Sequence, residues 1–386
     1  MNMIIQQLNI LTLIGLILAI IHFGTPLAYY YHAKRRWLHK PWNIKTNPNY
    51  KPKTTIIIPT YNEAKLIEKK LDNIYQQDYP RSMLEVIVVD SASDDGTPEK
   101  VKDWTRKHPD LNLKLIQEPE RKGKAHALNN ALKHAIGEIV ITTDVDAWWP
   151  SSNTLSETAK WLADPTIGAV SCLKKPATPS KAGIEEEYRK YYNTLRLAES
   201  KAWSTPIFHG ELAAFKTELL KKLGGFPINI GADDSHTATR IALTGYRAII
   251  PENILCIEIV PRNGYHAWRI RRAQHLIQHF IKTLTIKPKT PRPFKPILYV
   301  EAFLHLVNPW ILLVITLLFL IISITKGSLL ATTMLTLGVF LLTYESYRTW
   351  VTTQMYLIAA TLRNLYNKEL TWVKNAKAEA ILMHIK

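Results

Sequence analysis

Glu138-Ile-Val-Ile-Thr-Thr-Asp-Val-Asp146 is a β-branched, apolar run that ends on two carboxylates spaced one residue apart. Ile, Val and Thr in a short block suit a buried strand. Side chains alternate along a strand, so Asp144 and Asp146 are expected to point the same way from its end. Such a pair repels itself unless a cation lies between. Hard oxygen donors suit Mg2+ or Mn2+, which commonly shares its coordination with phosphate. The plainer alternative is a solvated turn.

The same kind of run recurs upstream. Thr54-Thr-Ile-Ile-Ile-Pro-Thr60 is β-branched and closed by Pro59, and Leu84-Glu-Val-Ile-Val-Val-Asp90 is a second buried strand ending in an acid. Between them Leu66, Ile67, Leu71 and Ile74 recur at helical spacing over residues 64–76. Residues 97–107 and 125–135 read as helices and 113–116 as a short strand. Strands alternating with helices predict an α/β domain whose mostly parallel, Rossmann-like sheet carries helices on both faces. Ligands of such sheets sit beyond the carboxyl ends of the strands, where Asn62, Glu63, Asp90 and Asp144 all fall. Neither G-x-G-x-x-G nor G-x-x-x-x-G-K-[ST] occurs, which removes the dinucleotide and P-loop phosphate cradles. After Pro150 the pattern loosens. Residues 184–202 form a long, charged, Tyr-rich helix candidate, 231–243 another with Gly245 as its C-cap, and 246–250 and 254–260 read as strands.

A formal charge of +17 over 386 residues points to an anionic partner: nucleic acid, a membrane surface or an anionic substrate. Apolar segments favour the membrane. Residues 8–31 carry no formal charge and Lys34, Arg35 and Arg36 come at once after them, so 1–33 is expected to span, with the positive-inside rule placing residue 34 onward in the cytoplasm. A cleaved signal peptide does not fit, because Lys and Arg are missing ahead of the run. Residues 50–262 would be the cytoplasmic domain. Residues 263–296 would be a basic amphipathic helix on the membrane plus a Pro-rich link, and 297–348 a transmembrane hairpin hinged at Lys326. The tail 349–386 would return to the cytoplasm, with 349–362 extending the last helix or lying at the interface. The basic residues cluster beside these segments and no nucleic-acid module is present, so no nucleic-acid partner is expected. Cys172 and Cys256 lack metal-ligand spacing and are expected as buried thiols.

Six pieces in order resemble glycosyltransferase family 2, the inverting nucleotide-sugar enzymes with the GT-A fold. They are Ile58-Pro-Thr-Tyr-Asn-Glu63, Val88-Val-Asp-Ser-Ala-Ser-Asp-Asp-Gly-Thr97, Arg121-Lys-Gly-Lys-Ala-His-Ala-Leu-Asn129, Thr143-Asp-Val-Asp146, His209-Gly-Glu-Leu with Gly224-Gly-Phe, and Gly231-Ala-Asp-Asp234. The resemblance implies a membrane-anchored glycosyltransferase with a nucleotide-sugar donor, in which Pro59, Tyr61 and Glu63 frame the nucleotide. It assigns Lys124 to the ligand and Asp146, with Asp144, to the metal. Independently, Asp90 at a strand end suits a base or ribose, or caps the turn after it, and Lys124 opens a helix, where anions collect.

Inverting transfer needs a base opposite the leaving diphosphate, and Asp234 is the candidate. Asp233 fills the place where the family usually has Glu, and an adjacent carboxylate raises proton affinity. Helix capping is the competing role for this pair. His209 and Gly210 are expected on the acceptor side with Trp268. Membrane-bound relatives often carry Gln-x-x-Arg-Trp on an interfacial helix. This chain has Trp268-Arg-Ile-Arg-Arg-Ala-Gln274 instead, leaving Arg269, Arg271 and Arg272 as candidates to clamp diphosphate or to bind lipid headgroups. The expected activity is transfer of a UDP- or GDP-linked sugar to a lipid or lipid-linked acceptor. A processive polysaccharide synthase and a non-catalytic nucleotide-sugar-binding scaffold are the alternatives.

Overall fold

The structure, a computed structural model, describes residues 10–177, 184–261, 264–286 and 289–368. Helix α1 (Ile10–His32) precedes a βα alternation of β1 (Thr54–Thr60), α2 (Ile67–Tyr75), β2 (Leu84–Ser91), α3 (Thr97–Lys107), β3 (Asn112–Glu118), α4 (Lys124–Leu132), β4 (Ile139–Thr142) and α5 (Thr154–Leu162). Next come β5 (Ile167–Ser171), β6 (Leu173–Pro176), α6 (Ile184–Ala202), β7 (Ala213–Lys216), α7 (Thr217–Lys222), α8 (Asp233–Leu243), β8 (Arg247–Ile249) and β9 (Leu255–Glu258). Among the described residues five helices follow: α9 (Tyr265–Thr285), α10 (Lys295–Leu306), α11 (Asn308–Lys326), α12 (Leu329–Leu341) and α13 (Glu345–Asn364).

Strand alternation splits the core into two layers. Ile56, Ile58, Val86 and Val88 face α2, α3 and α5, while Ile57, Ile87 and Val89 face α4, α7 and α8. All seven are fully buried, as a parallel sheet covered on both faces requires. The main sheet runs β3-β2-β1-β4-β7-β5-β8, and β7 alone opposes its neighbours. That reversal matters for the site. Thr142 pairs with Ala213, so the residues entering β7 lie beside those leaving β4. A two-stranded sheet of β6 and β9 stands apart.

The end of β4 differs from expectation. The strand stops at Thr142, and Asp144 to Ala147 form a turn closed by Ala147 N–H to the Asp144 carbonyl at 3.2 Å. Asp144 and Asp146 still reach one cavity, because Val145 between them is buried in the first core layer. Cys172 and Cys256 are free and buried, as expected.

Among the described residues two helices are long and apolar enough to cross a membrane, Ile10–Trp37 and Asn308–Lys326. The pair α12 and α13, bent by 104°, would be a third if it is one span. Residues 297–306, expected within the hairpin, belong to α10, whose Ile297, Leu298 and Ala302 sit in the second core layer. The apolar face of α9, expected to rest on a membrane, is covered by protein: Ile277 and Phe280 are fully buried. Residues 349–362 lie in α13, which folds back to pack Tyr356, Leu357 and Ala360 on Ala273 and Ile277 of α9. The last residues of the basic tail, 369–386, lie outside the described residues, as do 287–288 of the Pro-rich link.

Candidate active site

A cavity of about 310 Å³ opens at the carboxyl ends of β1, β2 and β4 and extends beneath α6, α9 and α13. Two loops wall its strand end. Asn62 and Asp94 bond each other through side chain and backbone (2.8 and 3.0 Å), and Glu63 N–H donates to Thr97 Oγ1 at 2.8 Å. Arg121 lies 4.0 Å over the Tyr61 ring. Asn129 ties the α4 motif to the Gly-Gly-Phe turn, bonding both the N–H (2.8 Å) and the carbonyl (2.9 Å) of Phe226. Gly225 is required there. Its φ is +86°, and a Cβ would meet Asn129 Oδ1 at 2.3 Å.

The acids converge on Gly210. A Cβ built on it would stand 3.1 Å from Asp144 Oδ2, 3.1 Å from Lys124 Nζ and 3.5 Å from Asp234 Oδ2. Residues far apart in sequence therefore meet at one point. The register of β4 with β7 brings Gly210 to Asp144. Ser235 Oγ, bonded to the N–H (3.1 Å) and carbonyl (3.2 Å) of Phe208, brings the start of α8 to the same loop. Lys124 Nζ pairs with Asp144 Oδ1 at 2.7 Å and lies 3.8 Å from Asp233 Oδ2. Burial works against its charge, yet Asp144, Asp233 and Asp234 outweigh that and hold the ammonium above the usual lysine range. Burial and the neighbouring Asp233 push Asp234 up to about 7. Burial likewise raises Asp233. Neither acid caps α8: the N-cap is Ala232, and Asp234 Oδ1 accepts only the adjacent Ser235 N–H, at 2.7 Å.

Every candidate site residue read from the sequence lines this cavity except Asp90. The Asp90 carboxylate lies just behind, accepting from Ser93 N–H (3.0 Å), Ser93 Oγ (2.5 Å) and Thr60 Oγ1 (3.2 Å), so it holds the turn. His209 Nδ1 donates to the Cys172 carbonyl at 2.7 Å, and burial together with Lys174 keeps the ring neutral. Arg269 stacks 3.8 Å over Tyr188. Arg272 pairs with Glu258, which also takes Arg189 and, at 2.9 Å, Lys174. Burial opposes the Glu258 charge, but these three cations hold its carboxyl well below the ordinary range.

Sequence reading named Arg272 but missed its partners in this second cluster, and missed a third cluster beside it. Arg196, fully buried, pairs with Glu199 at 2.7 Å and Glu301 at 3.0 Å, and Glu199 accepts from Tyr29 of α1 at 2.6 Å. Burial, with Glu301 nearby, pushes Glu199 up to about 8 despite Arg196. One signal was available. Arg189, Tyr192, Arg196 and Glu199 recur every three or four residues and so share a helix face.

Among the described residues no cluster of three or more His, Cys, Asp or Glu forms a metal cage. The donors at the turn still fit a hard divalent cation. Asp144 and Asp146 offer carboxylate oxygens on a cavity wall, and Asp144 already draws the Lys124 ammonium, so the position calls for positive charge.

A mostly parallel sheet with one reversed strand and an acid-lined cleft at its strand ends defines a GT-A glycosyltransferase domain. The chain belongs to glycosyltransferase family 2, whose model, Glycosyl transferase family 2, matches residues 55–224. It is 59% identical to the solved mannosyltransferase PcManGT from Pyrobaculum calidifontis in complex with GDP-Man and Mn2+, over 93% of this chain and 100% of that one, with a TM-score of 0.86. Poly-beta-1,6-N-acetyl-D-glucosamine synthase of Staphylococcus epidermidis is 24% identical over 270 residues, 67% of this chain. The match spans 64% of the synthase's length. A dolichyl N-acetyl-alpha-D-glucosaminyl phosphate 3-beta-D-2,3-diacetamido-2,3-dideoxy-beta-D-glucuronosyltransferase of Methanococcus voltae is 37% identical over 157 residues, 40% of this chain and 46% of that protein.

Proposed function

We propose that the chain transfers one hexose, with inversion, from a nucleoside-diphosphate sugar to a hydroxyl of a lipid or lipid-linked acceptor at a membrane surface. The observation that carries this reading is the meeting of Lys124, Asp144 and Asp234 around Gly210 within one cavity. Asp234 accepts the proton of the acceptor hydroxyl as that oxygen attacks the anomeric carbon. A carboxyl titrating near 7 is matched to that task. Lys124 steadies the phosphate-facing carboxylates, and Tyr61 with Glu63 borders the nucleotide. Asp144 and Asp146 would hold Mg2+ or Mn2+, which when bound supplies charge neutralisation for the departing diphosphate. Arg269, Arg271 and Arg272 lie under the same roof and favour phosphate oxygens in the cavity. Identity to the GDP-Man-bound mannosyltransferase favours GDP-mannose over a UDP-sugar as donor.

Support for the acceptor class comes from the apolar helices and from the cavity's reach to Thr353, Tyr356 and Leu357 of α13. We take α1 as an anchor with Lys34, Arg35 and Arg36 on the cytoplasmic side, in a multi-pass cell-membrane arrangement with the domain facing the cytoplasm. Protein in detergent, incubated with GDP-[14C]mannose, Mn2+ and a polyprenyl-phosphate-linked sugar, is expected to label the lipid fraction. Label only in water, as free mannose, would count against the reading. Processive synthesis is the second reading, favoured by the likeness to the S. epidermidis relative, whose name is that of a polysaccharide synthase. A ladder of products on a sizing gel would replace single transfer with it.

A further inference from the structure

We infer that Lys70, which lines no part of the cavity, is a positioning residue for the turn bearing Asp144 and Asp146. This inference rests on the proposed metal site at that turn. Lys70 sits on α2 at 1% exposure. Its ammonium donates to the Ala147 carbonyl at 2.9 Å, one residue past Asp146, and lies 4.2 Å over the Trp149 ring. Among the described residues its partners are therefore a carbonyl and an aromatic face rather than a carboxylate.

An ammonium so placed is costly to bury. Burial lowers its pKa to about 8, with Cys256, Asp144, Asp146 and Cys172 partly offsetting that through space. A Met or Leu would fill the space without the cost, so the charge and donor have a use at this place. One helical turn on, Asn73 grips the same segment, accepting from Trp149 N–H at 3.1 Å and donating to its carbonyl at 2.8 Å. On the far side, Glu211 O accepts from Thr143 Oγ1 at 2.7 Å and from Trp149 Nε1 at 3.0 Å. The turn is thus pinned at both ends, and at its exit Lys70 bonds the carbonyl of the residue that follows Asp146.

Two roles predict opposite signs. A bystander cation repels a divalent ion, so its removal tightens metal binding. A positioning donor preorganises the carboxylates, so its removal weakens it. Mn2+ is titrated by electron paramagnetic resonance into the full chain in detergent with GDP present. Lys70→Met is expected to raise the Mn2+ dissociation constant about tenfold and to raise KM for donor more than it lowers kcat. Unchanged or tighter Mn2+ binding in a folded Lys70→Met overturns the inference. Where that variant does not fold, Lys70→Gln, whose shorter amide stops short of the Ala147 carbonyl, is titrated in its place: weaker Mn2+ binding supports the role and unchanged or tighter binding overturns it. Asp146→Asn in the same titration separates the failures. If it binds Mn2+ normally the proposed metal site fails, whereas its loss beside a normal Lys70→Met sinks only the role of Lys70.

Discussion

The strand-end half of the cleft and its helix-roofed half solve opposite electrostatic problems. At the strand ends Asp144, Asp146, Asp233 and Asp234 outnumber Lys124, and the surplus negative charge leaves a place for a cation and a carboxyl near neutral pH. Under α6 and α9, Lys174, Arg189, Arg269, Arg271 and Arg272 outnumber Glu211 and Glu258, and the pairs bind each other tightly. The first half is poised to exchange protons and ions. The second is locked, which suits holding a substrate in register. The excess is negative in the first half and positive in the second, and the difference teaches that the sign of the excess and the pairs already formed, rather than burial of charge alone, decide what each half can hold.

The largest effect expected from breaking the comparison is at Asp234. Asp234→Asn should lower kcat by about a thousandfold while leaving donor affinity within a few-fold. Single-turnover kinetics with calorimetric donor binding checks both, and retained turnover would remove Asp234 from the role of base. In the locked half the expected loss is stability instead. Arg196→Met leaves Glu199 and Glu301 buried without their cation and should cost about 3–5 kcal/mol, read as a lower melting temperature in detergent.

Acidity sharpens the contrast. Asp234 must be unprotonated to act, and its folded value of about 7 means that kcat/KM should climb nearly tenfold per pH unit below 7 and level off above it. Glu258, held well below the usual carboxylate range, should add no inflection near neutrality. A profile flat from pH 5.5 to 8 would contradict the assignment. The smallest effect is at the roof. Tyr356 bonds His266 Nδ1 at 2.7 Å, and Tyr356→Phe should cost about 1 kcal/mol and raise acceptor KM a few-fold with donor KM unchanged.

Legibility in the sequence divides along the same line. Asp144 could be read because it comes after a local apolar run, whereas Tyr61, Glu63, Lys124 and Asp234 were named through the family motifs, and all five line one cavity. Asp90 showed where locality fails: two roles fitted its position, and the bonds to Thr60 and Ser93, which show the turn-holding one, come from the fold rather than the sequence. Strand alternation also misdescribed Asp144 and Asp146, since β4 ends two residues earlier and a turn presents both. The roof was less legible because its partners come from distant helices. Nothing local about Glu301 says that Arg196 will face it 105 residues away. The amphipathic pattern of α9 was real, but pattern alone does not say whether lipid or α10 and α13 will cover it.

Crystals grown with Mn2+ and a non-transferable GDP-sugar offer the most direct check, through anomalous scattering at the manganese edge. The account predicts one peak within coordination distance of the Asp146 carboxylate, with the anomeric carbon between it and Asp234. A peak and nucleotide bound away from Gly210, with Asp234 facing only protein, would contradict it.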